Sequence, residues 1–383
     1  MGPSVLIVQR RLTHYRVPLF ERMRAMLDGQ GVRLDVAYGQ PTVSEAKKND
    51  SGVLDWGVEA PNRYIYIKGS YLCYQQIPRS LVRGANLVVV TQENRLLANY
   101  LLYVKRRQLK TRLALWGHGA NMQGASPQSL RERFKRWYSN KVDWWFAYTE
   151  LSRRIVANSG FPSERITCLN NAIDTRWFLE YRRSLSPSQI QAQKRKLGVE
   201  GAPVGVYLGS LHAKKRIEFL QEAADVLHAR MPTVRLVAIG DGPQRESFSE
   251  WVASRPWVRY VGRVSDEEKV LCLVAGDVLL NPGLVGLVIL DSFCAEVPLI
   301  TTDCGIISPE IAYLSNDVNG VITANSVESF VTAAESLLTH RDRLEILQTG
   351  CRSAAALYSI DNMARNFSKG ITQAIDHFSR IGV

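Results

Sequence analysis

Nowhere in the 383 residues does an apolar run approach the ~20 residues that a membrane-spanning helix needs. The longest are strand-length, such as Asn86-Leu-Val-Val-Val-Thr91. Before its first apolar stretch the N-terminus lacks the cationic segment of a secretory leader, so export through such a leader is not expected. Cysteine is sparse. The six thiols at 73, 168, 272, 294, 304 and 351 show no CxxC spacing, which argues against a zinc site or a disulfide framework and for reduced side chains in a cytoplasmic protein. No Asp-x-Asp, no tandem repeat and no low-complexity tract occurs anywhere.

What is present is an ordinary globular composition, 46% apolar and 22% charged, on a chain long enough for two domains. The net charge of +12 is unevenly spread. Residues 1–200 hold 32 Lys/Arg against 15 Asp/Glu, whereas residues 201–383 hold 16 against 21. A basic half beside a mildly acidic one suits an anionic substrate between the halves or an anionic membrane face. Nucleic acid is not expected, because no basic-aromatic recognition module accompanies the charge.

Strand-like and helix-like segments alternate through both halves. Val5-Leu-Ile-Val8 reads as a buried strand. A helix follows from Pro18, and the loop between them carries Arg10, Arg11, His14, Tyr15 and Arg16. Residues 40–63 are polar and poorly patterned, which predicts an irregular loop, and 176–198 read as a charged connection. After Gly201 the alternation restarts with Val204–Leu208 and continues to three closing helices. The pattern predicts two doubly wound parallel α/β domains. Boundaries are expected at 185/186 and 357/358, with the last helix, 358–383, returning to the first domain.

Residues 129–145 mix cations and aromatics. As a helix they would set Leu130, Phe134 and Trp137 against Arg131, Arg133, Lys135 and Arg136, either as a membrane-surface helix or as an ordinary solvated face.

The organising stretch is Asn281-Pro-Gly-Leu-Val-Gly-Leu-Val-Ile-Leu-Asp291, a two-glycine loop opening a helix. Amides at such a helix entrance suit a phosphate, and a carboxylate one turn further suits a ligand hydroxyl. An ordinary βα turn would read the same way. Its company is more specific: Gly209…Lys215-Arg216, Ile239-Gly-Asp-Gly-Pro243, Val261-Gly-Arg-Val-Ser265, Gly286-Leu-Val-Ile-Leu-Asp291 and Thr302-Asp-Cys-Gly305, in that order. This order resembles the nucleotide-sugar domain of glycosyltransferase family 4, the retaining group 1 enzymes with the GT-B fold of two Rossmann-like domains facing a cleft. In the first half only His14-Tyr-Arg-Val-Pro-Leu-Phe20, Gly117-His-Gly119, Tyr148-Thr-Glu150 and Asn171-Ala-Ile-Asp174 resemble family landmarks.

The resemblance implies a metal-independent transfer from a UDP- or GDP-sugar to a glycan or lipid-linked acceptor, with no cofactor. Gly209 and Ser210 would border the donor. Gly262, Arg263 and Val264 would meet the nucleobase, and Asp291 would hold the ribose. Amides at Gly286, Leu287 and Val288 would bind the diphosphate. Lys215 and Arg216 would neutralise it, and His118 would touch the sugar. Arg10, His14 and Glu150 are the acceptor-side candidates. Four positions depart from the family: Gly283 stands where a sugar-contacting Glu is usual, Asp291 replaces Glu, Ser210 replaces Arg, and Arg10-Arg-Leu-Thr-His14 replaces a twin-glycine loop. The lost Glu keeps a second class open, a non-catalytic nucleotide-sugar-binding protein of the same fold.

Overall fold

A computed structural model describes residues 2–46, 50–67, 70–119 and 137–380. The chain divides into two compact units, Met1–Asp174 with Ile360–Val383, and Thr175–Ser359. The division therefore falls at 174/175 and 359/360, not at 185/186 and 357/358. The segment expected to be a connection forms two helices of the second unit, Arg176–Ser184 and Pro187–Leu197. The second of these has a Ser186–Gln189 capping box at its start and left-handed Gly198 at its end. Lys and Arg on its outer face gave the stretch its linker-like composition.

The first unit is built on a seven-stranded parallel sheet in the order β3-β2-β1-β6-β7-β8-β9. Its strands are β1 (Ser4–Gln9), β2 (Arg33–Tyr38), β3 (Val58–Glu59), β6 (Leu87–Thr91), β7 (Arg112–Gly117), β8 (Trp144–Ala147) and β9 (Ile166–Cys168). The central strands are continuous apolar runs because helices cover both faces. Leu19, Phe20, Met23 and Leu27 of the helix Val17–Asp28 are buried. That helix packs along Ile360–Arg380, where Arg22 pairs with both Asp361 and Asp174. Phe367 meets Trp116 edge to face with ring centres 5.0 Å apart and Phe146 at a tilt with ring centres 4.5 Å apart.

The described residues of 40–63 are more ordered than their composition suggests. They hold the short helix Val43–Ala46, β3, and the start of β4 (Asn62–Ile67), which forms an antiparallel hairpin with β5 (Ser70–Gln75). The run Tyr-Ile-Tyr-Ile in β4 carried the strand signal. It is easily overlooked because only one face of the hairpin is covered.

The second unit has a six-stranded parallel sheet, β12-β11-β10-β13-β14-β15. Its strands are β10 (Val204–Leu208), β11 (Arg235–Ile239), β12 (Val258–Gly262), β13 (Val278–Leu280), β14 (Leu299–Thr302) and β15 (Gly320–Thr323). This is the doubly wound order, in which chain direction across the sheet reverses between β10 and β13. Ligands of such sheets bind beyond the carboxyl ends of the strands at that reversal. The loops there are 209–216 and 281–287, the two that the sequence singled out.

Candidate functional site

The loop after β10 is shaped by close backbone contacts. Gly209 donates its amide to Ile239 O, and Leu211 donates to Asp241 O. A Cβ on Gly240 would stand 1.8 Å from Gly209 O, so the Gly-Asp-Gly-Pro turn is set by packing between the loops after β10 and β11. The Tyr207 hydroxyl donates to Ser210 O and fixes the exposed Ser210. His212, which the sequence did not mark, caps the turn Ala213–Lys215 by accepting from the Lys214 amide.

That turn delivers Lys215. Its side chain is buried at 8% exposure and passes over Gly209, and its Nζ donates to Val285 O at 3.2 Å. The ammonium thus lies on the loop that leads into the helix Val288–Ala295. Burial pushes its pKa down to about 8, so the charged form is held at a cost that an incoming anion would relieve. Arg216 follows in the left-handed region at φ 56°. Its Nη1 donates to Thr302 Oγ1 at 2.9 Å and Pro282 O at 3.2 Å, and its guanidinium lies 4.2 Å from the Phe219 ring centre. Part of its donor set is therefore spent holding the 281–283 loop. Thr302 donates to the same Pro282 carbonyl and completes the clasp.

Gly283 explains its own departure from the family. A Cβ there would stand 2.5 Å from Lys214 O and 2.7 Å from Lys215 C. The Leu284 amide donates to Lys214 O across the same contact. The two loops press together where the family usually carries Glu, and this backbone leaves no room for a side chain.

No side chain caps the helix Val288–Ala295 at Leu287. Of the three amides expected to meet a diphosphate, that of Gly286 donates to the Ser308 hydroxyl at 2.9 Å, a partner the sequence did not reveal. Asp291 lies in the first turn of the helix, with its carboxylate 3.5 Å from Lys269 Nζ, which also reaches Asp266 at 3.2 Å. Burial pushes the Asp291 carboxyl up, and Lys269 pulls against it. Gly262 closes β12 at φ 69°, accepting from the Gly240 amide, with exposed Arg263 and half-buried Val264 after it. The structure therefore gathers Gly209, Lys215, Arg216, Gly283 and the 285–286 loop tightly. Asp291 joins the region after β12 through Lys269 and Asp266.

In the first unit the candidates occupy separate settings at the carboxyl end of its sheet. Exposed His118 follows β7, its ring 4.3 Å from that of Tyr148. Its loop is gripped by Gln92, which accepts from the Gly119 amide and donates to Gly119 O, both at 2.9 Å. Arg10 makes a two-point ion pair with Glu45 at 2.7–2.8 Å, holding that carboxyl down to about 2, and its Nε lies 3.6 Å from Glu93. Exposed His14 has Nδ1 3.2 Å from Asp50 O. Glu150 forms a two-point pair with Arg153, one turn along its own helix, and that guanidinium holds its carboxyl low. The basic-aromatic helix expected at 129–145 lies largely outside the described residues, including Leu130, Arg131, Arg133, Phe134, Lys135 and Arg136.

Residues 202–340, which span β10 to the helix Val327–Thr339, match the family model described as Glycosyl transferases group 1. That stretch of the second unit is similar to the group 1 glycosyltransferases. Its fold is that of HepE from Anabaena, solved in complex with UDP: 13% identity, a TM-score of 0.70, and coverage of 97% of this chain and 99% of that one. Among curated relatives it is 24% identical over 215 residues to a sulfoquinovosyl transferase of Arabidopsis thaliana, covering 54% of this chain and 40% of the relative. It is 27% identical over 185 residues to an alpha-monoglucosyldiacylglycerol synthase of Acholeplasma laidlawii, covering 45% and 44%. The matches thus span less than half the length of these relatives. The family match falls on the unit that holds Lys215, Gly283 and Asp291. Among the described residues no cluster of His, Cys, Asp or Glu is assembled to hold a metal ion, and no helix is long and apolar enough to cross a membrane.

Proposed function

We propose that this chain transfers a sugar, with retention at the anomeric carbon and without a metal ion, from a nucleoside diphosphate sugar to a glycan or lipid-linked acceptor. The observation that carries the reading is Lys215, a buried ammonium at the sheet's reversal point, set against the loop that enters the helix Val288–Ala295. As the glycosidic bond of the donor lengthens, its diphosphate gains negative charge. A fixed cation and a helix N-terminus stabilise charge where it develops, and the surroundings have already paid its desolvation. Arg216 supplies a second cation next to the same loop, and Asp291 accepts from the ribose hydroxyls. His118 contacts the sugar, and Arg10, His14 and Glu150 belong to the acceptor side.

The UDP in the complex of HepE favours a uridine donor, although GDP would meet the same groups. A relative named for a glucosyl diacylglycerol supports a lipid-linked acceptor. Presenting the protein with a panel of UDP- and GDP-sugars, in EDTA, tests the reading. One donor is expected to raise the unfolding temperature and be slowly hydrolysed, and indifference to every donor would refute it. The crowding at Gly283 favours a second reading, a non-catalytic binder of nucleotide sugars, for which the same assay would give a thermal shift without nucleotide release.

A further inference from the structure

We propose that the sugar carried by the donor is acidic, its ring bearing a carboxylate, and that Arg216 is the residue that recognises it. Such a role deepens the reading of the chain as a user of nucleoside diphosphate sugars and rests on it. The backbone of Arg216 is strained. It is held in the left-handed region, at φ 56° and ψ 53°, where a residue with a Cβ is disfavoured. Arg216 is also the N-cap of the helix Ile217–Arg230 and gives that helix no side-chain cap. After Lys214 and Lys215 it is the third cation in a row at a helix end whose dipole favours anions. Neither the turn nor the helix gains from an arginine here. A residue kept in an unfavourable conformation points to a task beyond the fold.

The side chain is firmly seated. Its Nη1 donates to Pro282 O and to Thr302 Oγ1, and the guanidinium lies beside the ring of Phe219, which itself meets Phe330 edge on. Nε and Nη2 have no partner among the described residues, and no carboxylate there pairs with Arg216. Asp303, next to Thr302, is exposed and pairs with neither Arg216 nor Lys215. The two cations address opposite ends of one loop. Lys215 Nζ meets Val285 O, next to Gly286 and the entrance of Val288–Ala295, where a diphosphate belongs. Arg216 meets Pro282, beside the bare backbone of Gly283. With the ribose at Asp291 and the diphosphate at the helix entrance, the sugar continues along the loop toward Pro282, Gly283 and Thr302. The loop offers it no side chain at Gly283, which has no room for one. What faces it is a fixed guanidinium with an open edge. Such an edge matches a carboxylate through two parallel N–H···O bonds, whereas a neutral sugar would desolvate the charge without pairing it.

Sugar nucleotides that differ only at C6 test the assignment. UDP-glucose is compared with UDP-glucuronate, and GDP-mannose with GDP-mannuronate, by calorimetric titration of the whole chain in EDTA at fixed salt, beside UDP and GDP alone. The wild type is expected to bind the uronate of one pair about ten- to a hundred-fold more tightly than its neutral counterpart, the size of a charge-assisted pair. Arg216→Asn removes the guanidinium and keeps a residue that accepts the left-handed conformation. It should abolish the preference and leave affinity for the nucleoside diphosphate alone unchanged. Lys196→Gln, which removes an exposed cation of the second unit paired with Glu268, should keep the preference and so controls for overall charge. A wild type that binds each neutral sugar nucleotide as tightly as its uronate overturns the proposal, and that comparison needs no variant to fold. So does an Arg216→Asn protein that loses UDP or GDP in step with both sugars, which would place Arg216 on the diphosphate. A wild type that binds neither nucleotides nor sugar nucleotides would refute the glycosyltransferase reading itself, and this assignment with it.

Discussion

The main chain of Lys215 lies directly against Gly283, so that a Cβ at 283 would stand 2.7 Å from Lys215 C and 2.9 Å from its Cα. The proposed diphosphate ligand and the packing of the two loops meet at that contact. The turn that aims Lys215 is held in place by the loop that has lost the family's Glu.

Restoring a side chain at 283 should therefore harm the protein. Gly283→Ala is expected to cost about 1–3 kcal/mol by overpacking, because backbone atoms on the facing turn must move. Gly283→Glu should cost at least as much and should not gain activity. Thermal unfolding and donor titration check both, and a Gly283→Glu protein with native stability and faster turnover would show that the loops part readily.

Donor binding should be tied to the protonation of Lys215. Its pKa, pushed down to about 8 by burial, lies below the usual 10.5, so the free protein loses this charge as pH rises through about 8. A diphosphate favours the charged form, so binding above pH 8 must take up a proton, and affinity should fall by up to about ten-fold per pH unit. The same depression has a sign for stability. It weakens the fold fully below about pH 8 and is relieved as pH rises toward 10.5. Lys215→Met should accordingly be more stable than the wild type at pH 7, by on the order of 1–3 kcal/mol, while binding donor poorly. Calorimetry in buffers of different ionisation enthalpy reads the proton uptake, and pH-independent affinity would contradict the assignment.

Asp291 offers a third check. Asp291→Ala should weaken nucleotide binding by roughly 1.5–3 kcal/mol through loss of charge-assisted hydrogen bonds. It also strands Lys269, whose other partner is Asp266. Lys269→Met separates the two effects: it should disturb stability with a smaller loss of affinity. If both variants lose affinity equally, the ion pair is what matters and not a ribose contact by Asp291.

Residues whose role follows from local pattern were readable without coordinates. The apolar β-branched runs at Val5–Val8 and Val204–Leu208 are strands because both their faces are buried, and Gly286 heralds a helix start at Val288. What escaped the sequence acts over distance. Ser308 reaches the Gly286 amide across 22 residues, and Thr302 and Arg216 share the Pro282 carbonyl from separate loops. A serine or threonine has no spacing that announces such a partner. The glycine at 283 could be seen to break the family pattern, but the reason is a backbone 68 positions earlier in the chain, visible only once the loops are folded together. Composition misled at 176–198, where exposed cations on two helices imitate a linker, and at the hairpin, where exposure on one face hides the alternation.

The last prediction concerns Gln92, whose amide grips Gly119 in both directions and so fixes the loop that presents His118. Gly119 is held at φ 84°, where a larger residue would be strained, and its neighbour Gly117 leaves the space that the Gln92 side chain fills. Gln92 and His118 both belong to the first unit, so the effect of Gln92 on the proposed reaction should pass through the position of His118. Gln92→Ala should leave nucleotide affinity within about two-fold, since no donor-binding group is removed. It should lower kcat by on the order of ten- to a hundred-fold, the cost of loosening a group that must be oriented in the transition state. Gln92→Glu keeps an acceptor for the Gly119 amide but sets a carboxylate oxygen against the Gly119 carbonyl, so it should rescue only as pH falls and the acid becomes a donor. A purely structural role would lower stability and activity in parallel, without that pH-dependent rescue. A kcat that falls with a stable fold and returns at low pH in Gln92→Glu would place His118 at the reacting sugar, whereas unchanged turnover in Gln92→Ala would remove it from the reaction.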